Sequence, residues 1–410
     1  MKNNALFYFI IVILMVIFIA GCEHSKQMPN AYELVENEKH LAGTFNSVIK
    51  LPIQQTYYAD EIATGYASYL FLGNSQAFQS YILLRFDFAE VPDSSVVRSA
   101  RLILSATDIL GTTGNDFPAT MYNVSSALAD WAEGTIVWSE FNDQIDSPLM
   151  NEPIQISSAL DSNYAVSSDT LKLRKDIFKV NVGSIINADS SVDSNLSRTG
   201  FCIRADDLNP GNFLVQYHSS ESAYTDLVPV LELITVKASS ADTTLLTPSH
   251  DTFVVQSKPV DGTECLYTGQ GSPYRSLLKF DLSDLENNVT INRAYLKMVL
   301  NENKSQFTNS ALPGIKLFPL VSWPDSPESA EVDSSSSAGT IGTTNGDTMT
   351  VEINQLVQDW VAEVEPNYGI LVRALDEGYG LYRAAFYGDM IDTTFAPQLV
   401  IKYSKPSQAQ

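Results

Sequence analysis

Apolar residues occur along most of this chain in short runs that are separated by clusters of Gly, Asn, Asp, Ser and Pro. The runs are rich in Val, Ile, Leu, Phe and Tyr, and this composition predicts β-strands bounded by turns. Long stretches with the periodicity of amphipathic helices are nearly absent. Many short strands of this kind are typical of a sandwich or a barrel, so we predict an all-β protein.

The N-terminus follows a different pattern. An apolar run from Ala5 to Phe18 follows one positive residue, Lys2, and Ile19-Ala20-Gly21-Cys22 closes it. No stop-transfer pattern follows, so the layout predicts a removed secretory signal with a lipobox, the signature of bacterial lipoproteins. Residues 1–21 would be the signal peptide, and Cys22 would carry the lipid. A membrane span is the alternative, because an apolar stretch of this length is close to the shortest that spans a bilayer.

The chain contains an internal repeat. Six sequence blocks of the first half recur in the same order in the second half. The paired blocks are Thr56-Tyr57 with Leu70-Phe71-Leu72-Gly73 and Thr252-Phe253 with Leu266-Tyr267-Thr268-Gly269; Tyr81–Phe88 and Arg275–Leu282; Val97–Leu102 and Ile291–Leu296; Val180–Ile186 and Val351–Val357; Gly200–Arg204 and Gly369–Arg373; and Pro229–Leu233 and Pro397–Ile401. Chance similarity does not keep such an order, so the halves are predicted to be two copies of one unit.

The repeat sets the predicted domain organisation. The first domain covers residues 47–236 and the second covers residues 247–404, and a linker at 237–246 joins them. Residues 22–46 are polar and are predicted to form a flexible tether, whereas residues 405–410 form a tail. Asp333–Asp347, with its four serines, is predicted to be a surface loop.

One short helix is predicted in each repeat. In the second repeat, Ile353, Leu356, Val357 and Trp360 share one helical face. The counterpart in the first repeat is weaker, because Gly183 interrupts it. Both helices are interpreted as single turns that pack against the edges of sheets.

Charge narrows the range of partners. The whole chain has a formal net charge of −23. Such a chain repels polyanions at long range, so nucleic acid is excluded as a partner. The same negative charge opposes the binding of acidic polysaccharides, although a local basic patch would still bind them. Solubility is the simpler interpretation of the charge.

Two cysteines remain after Cys22. Cys202 and Cys265 each lie inside an apolar, strand-like run. Export permits a disulfide between them. However, they occupy non-equivalent positions in different repeats, which favours two buried free thiols. No CxxC or Cys/His spacing indicates a zinc site.

The ordered blocks resemble the DNRLRE-type surface repeat and the related carbohydrate-binding modules attached to alginate lyases and to archaeal disaggregatase. The similarity rests on the Thr-aromatic opening strand, the Leu-x-x-Gly strand end, the Leu-Leu-(Arg/Lys)-Phe-Asp strand and the Ala-x-Leu strand, and in the first copy on Trp131-x-x-Gly134 up to Trp138. The resemblance implies two tandem jelly-roll-like β-sandwiches, and it implies carbohydrate binding for some members. The second copy keeps only Trp323 of the paired tryptophans, which suggests a ligand surface in one copy.

The candidate glycan-binding residues are aromatic rings, which stack on the faces of sugars, and arginines, which bind hydroxyl or carboxylate groups. They are Trp131, Trp138, Tyr217, Arg204, Trp323, Tyr387 and Arg373. The alternative for the tryptophans is packing in the core or at a strand rim. The alternative for the arginines is pairing with an acid across the sheet.

Catalysis is not expected. Asp87 and Asp281 end equivalent strands, where an Asx turn is the simpler interpretation than a pair of catalytic carboxylates. No GxSxG motif occurs, and a lyase site drawn from Tyr217, His218 and Arg204 would have no histidine counterpart in the second repeat. No cofactor is expected, with structural calcium as the alternative, although no DxDxDG-like loop occurs.

These features predict a lipid-anchored, exported protein of the bacterial cell envelope, at the outer membrane or the cell surface. Its contact with the membrane would be the N-terminal lipid, and its modules would bind polysaccharide without catalysis. One alternative is a structural or adhesive surface protein that contacts other proteins. Another is a polysaccharide lyase or hydrolase, because a fold alone does not determine function.

The predicted processing is directly testable. We expect the mature protein from membranes to begin at Cys22 and to carry acyl chains there, because the lipobox directs both steps. Mass spectrometry of the N-terminal peptide measures this. A mature chain that retains residues 1–21 would contradict the prediction.

Overall fold

A computed structural model describes residues 43–92, 95–112, 115–160, 162–166, 169–187, 192–206, 212–260, 262, 264–307, 314–333, 343–388 and 393–406. The predicted signal peptide, Cys22 and the predicted tether up to residue 42 lie outside the described residues. Residues 334–342 of the predicted surface loop lie outside them as well. Within the described part of the chain, no helix combines the length and the hydrophobicity that a membrane span requires.

The protein is mostly β, as predicted, and its strand pairs are antiparallel. The strands up to the middle of the chain are β1 (Gly43–Lys50), β2 (Pro52–Ala59), β3 (Tyr69–Asn74), β4 (Phe78–Phe86), β5 (Val96–Gly111), β6 (Phe117–Val124), β7 (Ile145–Pro148), β8 (Ile154–Ile156), β9 (Ser162–Val166), β10 (Asp169–Val180), β11 (Phe201–Ala205), β12 (Phe213–His218) and β13 (Val230–Lys237). The later strands are β14 (Ser240–Leu246), β15 (Pro248–Ser257), β16 (Cys265–Gln270), β17 (Tyr274–Phe280), β18 (Thr290–Val299), β19 (Ile315–Pro319), β20 (Thr343–Asn345), β21 (Thr348–Glu352), β22 (Ile370–Ala374), β23 (Tyr382–Tyr387) and β24 (Gln398–Pro406).

Helical structure in the described residues is limited to short segments between strands. The α-helices are α1 (Trp138–Phe141), α2 (Leu196–Thr199) and α3 (Asn354–Val361). Single 3-10 turns occur at Ser126–Leu128, Val182–Ser184, Thr225–Leu227, Glu302–Lys304 and Pro327–Ser329. The predicted helix of the second repeat is confirmed as α3, in which Leu356, Val357 and Trp360 are buried. Its counterpart in the first repeat is only the turn at Val182–Ser184.

The first hydrophobic core lies between two layers of strands. One layer contains β14, β13, β5, β10 and β9, and the other contains β15, β4, β11 and β6. Strands β12 and β3 join the two layers, since β12 pairs with β5 and with β3, which in turn pairs with β4. Along β4, alternate side chains Ile82, Leu84 and Phe86 enter this core. That period of two is the expected pattern of a strand with one face on the core.

The second hydrophobic core has the same plan. Its layers are the sheet β1-β24-β18-β21-β20 and the sheet β19-β22-β17-β2, with the pair β16-β23 beside them. Helix α3 places Val357 and Trp360 in this core. The backbone nitrogen of Ile353 donates to the carbonyl of Ala294 at 2.9 Å, which fixes the start of the helix on β18.

The two repeats exchange their opening strands. β2 opens the first repeat but pairs with β17 of the second, from Tyr274↔Ala59 to Phe280↔Pro52. β15 opens the second repeat but pairs with β4 of the first, from Pro248↔Phe86 to Ser257↔Phe78. β4 and β17 are the equivalent Leu-Leu-(Arg/Lys)-Phe-Asp strands, so the exchange is reciprocal. Hydrogen bonding therefore crosses the predicted boundary between residues 47–236 and 247–404 in both directions.

The same two segments add a strand to the opposite layer of each sandwich. β1 pairs with β24, and β14 pairs with β13. The beginning of the described chain thus completes the second core, onto which Val48 and Tyr57 pack. The first core receives Phe253, whose side chain is 1% exposed and whose ring meets Phe71 edge-on at 5.2 Å. Burial of such a ring contributes about 2–3 kcal/mol, so the exchanged strands are part of each core.

The segment predicted as a linker, residues 237–246, is a hairpin. β13 ends at Lys237 and β14 begins at Ser240. Ala238 and Ser239 have φ angles of 47° and 72°, the left-handed values of a tight two-residue hairpin turn. The small and polar residues that predicted a linker therefore form a turn. β1 likewise includes residues 43–46 of the predicted tether.

Two local predictions are confirmed. Asp87 and Asp281 form Asx turns, in which each carboxylate accepts from the backbone nitrogen two residues later, Ala89 at 2.9 Å and Ser283 at 3.0 Å. Cys202 and Cys265 are buried and unpaired. Burial raises the pKa of the Cys202 thiol, so this group is an unreactive part of the core.

The exchange predicts that the second core depends on the N-terminal strands. A chain beginning at residue 60 lacks β1 and β2 and leaves β24 and β17 with one unpaired edge each. We expect its melting temperature to fall by roughly 10 °C or more relative to a chain beginning at residue 43, because several kcal/mol of pairing and burial are lost. Calorimetry measures the difference, and a synthetic peptide of residues 43–59 should restore it. Equal melting curves for the two chains would contradict the prediction.

Candidate functional site

A pocket with a volume of about 760 Å³ lies where the two repeats meet. The first repeat contributes the turn after β3, the end of β5 and the start of β12. The second contributes the segment after β15, the segment after β18, and one residue each from β16 and β23. The lining residues are Gln76, Ala77, Gly111, Thr112, Asn212, Pro259, Val260, Tyr267, Glu302, Asn303, Lys304, Ser305, Gln306, Phe307 and Arg383. Amides, aromatic rings and charges thus converge on one concave surface.

Contacts between the repeats hold the walls of the pocket in place. The Ser75 hydroxyl donates to Oε1 of Gln306 at 2.9 Å, which joins the turn after β3 to the segment after β18. Gly111 adopts a φ of 107°, and a Cβ at this position would lie 2.4 Å from Nε2 of Gln306. Only glycine fits this close approach. The Lys258 backbone nitrogen also donates to the carbonyl of Ala77 at 2.8 Å.

The segment after β18 is shaped by its own sequence. Oδ1 of Asn301 accepts from the backbone nitrogen of Lys304 at 3.3 Å and so caps the 3-10 turn Glu302–Lys304. The Ser305 hydroxyl donates to the carbonyl of Asn301 at 2.7 Å. Gln306 then pairs with Arg383 through two backbone hydrogen bonds of 2.7 and 2.8 Å. These bonds leave the side chain of Asn303 exposed at the pocket.

Tyr267 and Arg383 lie side by side in the wall that the second repeat provides. The Arg383 guanidinium carbon is 5.9 Å from the Tyr267 ring centroid and 5.9 Å from that of Phe78. Tyr267 is itself packed edge-on against Tyr57 at 5.1 Å and tilted against Tyr274 at 5.5 Å. Burial raises the pKa of the Tyr267 hydroxyl, which keeps it protonated as a hydrogen-bond donor.

Arg383 is buried although it carries a charge. Its side chain is 9% exposed, and its Nε has no hydrogen-bond partner among the described residues. Nη1 donates to the carbonyl of Lys258 at 3.2 Å. Burial lowers the pKa of this guanidinium below its usual range, although arginine keeps its charge in proteins.

A second cluster of charged groups lies elsewhere, where β15 of the second repeat meets loops of the first. Oxygens of Glu133, Glu221 and Asp251 lie within 4.8 Å of one another, and among the described residues this group could hold a hard cation such as calcium. Asp251 is 1% exposed. One carboxylate oxygen accepts from the Ser220 backbone nitrogen at 2.8 Å and the other from the Ser220 hydroxyl.

The environment of this acidic cluster disfavours ionisation. Burial raises the pKa of Asp251 to about 7, the hydrogen bonds from Ser220 oppose this shift, and the charge of Glu221 adds to it. Burial also raises the pKa of Glu133. Protonation or a bound cation would each relieve the repulsion among the three carboxylates.

Two of the predicted glycan-binding residues are buried, and burial removes them from contact with any ligand. Trp131 is 5% exposed, and its indole nitrogen donates to the carbonyl of Thr199 at 2.8 Å. Tyr217 is fully buried, and its hydroxyl donates to Asp176 at 2.5 Å. The sequence placed Tyr217 at a strand end, but β12 carries it into the first core. These two assignments are therefore corrected.

The other five predicted residues are partly buried and lie apart from the pocket lining. Trp138 packs against the Tyr81 ring at 5.0 Å, and Tyr387 against the Phe395 ring at 5.3 Å. Trp323 packs at the edge of the small apolar cluster that covers the outer face of β22.

The two predicted arginines also stack on rings. The guanidinium of Arg204 lies over Tyr122 at 4.9 Å, and that of Arg373 lies over Phe318 at 4.5 Å. Arg373 is 3.8 Å from the carboxylate of Glu377, an acid four residues later in the chain, so this pairing does not run across the sheet as the alternative proposed.

Sequence reasoning did not find the pocket. Its residues come from seven separate chain segments, and each segment alone has the composition of an ordinary turn or strand. One signal was present in the repeat itself. Arg383 pairs with Gly269 in the same register in which Leu214 pairs with Gly73, so a charged residue replaces a buried leucine at an equivalent strand position.

Comparison with known proteins adds no assignment, because no family model matches the chain and no curated protein is similar to it. The resemblance to the DNRLRE-type repeat therefore stays a prediction.

The acidic cluster predicts a specific dependence of stability on pH. The folded-state pKa of Asp251, about 7, lies above the ordinary value of 3.8, so the folded state binds this proton more tightly and wild-type stability falls as the pH rises from 4 to 7. Asp251→Asn removes the charge and keeps an acceptor for Ser220. We expect the variant to gain about 2–4 kcal/mol over wild type at pH 8, and little at pH 4.

Urea unfolding at both pH values in the presence of a chelator measures this difference. The chelator keeps divalent cations from neutralising the cluster. Equal gains at pH 4 and pH 8 would show that folding does not raise the pKa of Asp251, contrary to the prediction.

Proposed function

We propose that this chain is a lipid-anchored, exported envelope protein whose β-sandwich body binds polysaccharide without catalysis. The observation that carries the proposal is the pocket between the repeats, which combines amide side chains with aromatic rings. The lipobox at Cys22 supports the anchored location.

The pocket has the chemistry that a saccharide requires. Sugar rings present hydroxyl groups around their edges and C–H groups on their faces, so a site needs hydrogen-bonding amides beside an aromatic surface. Gln76, Asn212 and Asn303 supply amides from both repeats, and Phe307 supplies the accessible ring, with the buried Tyr267 ring behind it in the wall. Gln76 and Asn303 are exposed, so they can meet a ligand without any rearrangement of the core.

The chain geometry is consistent with presentation at a surface. β1 begins at Gly43, and 20 residues lie between Cys22 and that point. Fully extended, such a segment reaches at most ~70 Å, which limits how far the body stands from the lipid. A binding site at this distance serves to hold a polymer close to the membrane.

A non-catalytic role is supported by the positions of the residues that a lyase would use. The Tyr217 hydroxyl is occupied by Asp176, and Arg204 stacks on Tyr122. His218 is 1% exposed, and burial lowers its pKa to about 4. A proton donor, a base and a neutralising cation therefore do not share one open groove.

A structural or adhesive role is the second candidate, and one observation favours it. Ile49 on β1 and Ile53 on β2 are 57% and 59% exposed, and β1 is the outer strand of its sheet. β2 is the outer strand of the other sheet of this core, and exposed apolar residues on edge strands suit contact with another protein. Replacing both isoleucines by Glu should abolish such a contact and leave saccharide binding intact.

Saccharide binding is tested on a glycan array with the unlipidated chain from residue 23 to residue 410. We expect binding to at least one polysaccharide class, and we expect Phe307→Ala and Asn303→Ala each to weaken it by about tenfold or more, because both remove direct contacts. Tyr66→Ala is the matched control, since Tyr66 is 60% exposed and lies outside the pocket. Absence of binding across neutral and acidic glycans would overturn the proposal.

A further inference from the structure

We propose that the pocket selects acidic saccharides, because Arg383 is placed to hold one sugar carboxylate. This inference rests on the proposed function and names the class of ligand. Arg383 was not among the predicted glycan-binding residues, and its charge, burial and partners indicate this role.

Arg383 lacks a counter-ion among the described residues. Arg383 lines the pocket and is 9% exposed, yet among the described residues no carboxylate forms an ion pair with it. Its buried Nε has no hydrogen-bond partner there, Nη1 donates to the carbonyl of Lys258, and the side chain of Tyr274 is a further hydrogen-bond partner. These partners are neutral, whereas buried charges in proteins are normally paired with an opposite charge, so a guanidinium without a counter-ion at a pocket wall is suited to an anionic ligand.

The fold does not require a charge at the position of Arg383. The equivalent strand position in the first repeat holds Leu214, which is fully buried. Leu214 faces Gly73 and Arg383 faces Gly269, and both glycines close the Leu-x-x-Gly element of their repeats. The sandwich is therefore built with leucine at this position in one copy. A charge that the fold does not need, in a place where it opposes burial, indicates a role in binding.

Stacking on aromatic rings is not a sufficient reason for the buried charge of Arg383. The guanidinium is 5.9 Å from the ring centroids of Phe78 and Tyr267, which is the outer limit for a cation–π interaction. By comparison, Arg204 and Arg373 lie 4.9 and 4.5 Å from their rings. The rings thus border Arg383 without compensating its desolvation.

The other charged residues of the pocket determine how much negative charge a ligand can carry. Lys304 at the pocket pairs with Glu264 at 2.8 Å, and Glu302 adds a negative charge to the lining. Arg383 is then the one lining cation, among the described residues, that has no carboxylate partner. A single planar guanidinium matches a single carboxylate in a two-point hydrogen bond. The chain's net charge of −23 and Glu302 both oppose a densely charged polymer such as a polysulfate.

The experiment compares three probes with the unlipidated chain from residue 23 to residue 410. The probes are a hexasaccharide of uronic acids, a neutral hexasaccharide and a sulfated hexasaccharide, and calorimetry measures their affinities at low and at moderate salt. The variants are Arg383→Leu, which copies the first repeat, and Arg383→Lys, which keeps the charge and loses the planar fork.

We expect wild type to bind the uronate about 10- to 100-fold more tightly than the neutral probe, and we expect this preference to weaken with salt. Arg383→Leu should lose the preference and keep its affinity for the neutral probe, with a melting temperature equal to or above that of wild type. Arg383→Lys should show an intermediate preference, and it serves as the test if the leucine variant does not fold.

The outcomes separate the two proposals. If wild type binds the neutral probe as tightly as the uronate, or if Arg383→Leu keeps the preference, the inference is overturned and the proposed function stands. A preference for the sulfated probe over the uronate also overturns it. If wild type binds none of the three probes, the proposed function fails together with the inference.

Discussion

The backbone of a β-strand needs hydrogen-bond partners along both edges unless it lies at a protected margin of the sheet. In this chain, the two repeats supply these partners by exchanging their opening strands. β15 covers the edge of β4, and β2 covers the edge of β17. Each repeat is therefore complete only when the other is present. The exchange also brings the segment after β15, with Pro259 and Val260, to the loops of the first repeat, and the pocket forms at that meeting point. Architecture and candidate site thus share one cause.

The buried charged side chains of the described residues include Arg85, Asp176 and Glu377, and two further ones mark the pocket and the acidic cluster. Arg383 stands where the other repeat has Leu214, and Asp251 is buried beside two further carboxylates. Elsewhere, cores filled by Leu, Ile, Val and Phe repeat the same alternating pattern in both halves. Departures from such a pattern lower stability, so they are expected where a binding or ionic function compensates for them. The pocket and the acidic cluster are two such places.

Features that depend on neighbours in the sequence were predictable. The strands, the helix around Val357 and the Asx turns at Asp87 and Asp281 each rest on periodicity or on a side chain that bonds its own backbone. The two unpaired, buried cysteines followed from their positions inside apolar runs. The exposure of individual side chains was less predictable. Tyr217 is buried, but the local sequence of its strand does not show which of the two faces of the strand lies on the core.

By itself, the sequence determined the all-β class and the acidic character of the protein, because both are written in its composition and in the order of its residues. Its repeated blocks and the Ile19-Ala20-Gly21-Cys22 pattern predict the doubling of one unit and the lipid anchor. Only the tertiary structure decided which copy each opening strand joins, since equivalent strands offer equivalent edges and a repeat pattern cannot distinguish them. The same holds for the pocket. Its residues are separated by up to about three hundred positions in the chain, from Gln76 to Arg383, and they become neighbours only after strands β15 and β2 have crossed between the repeats.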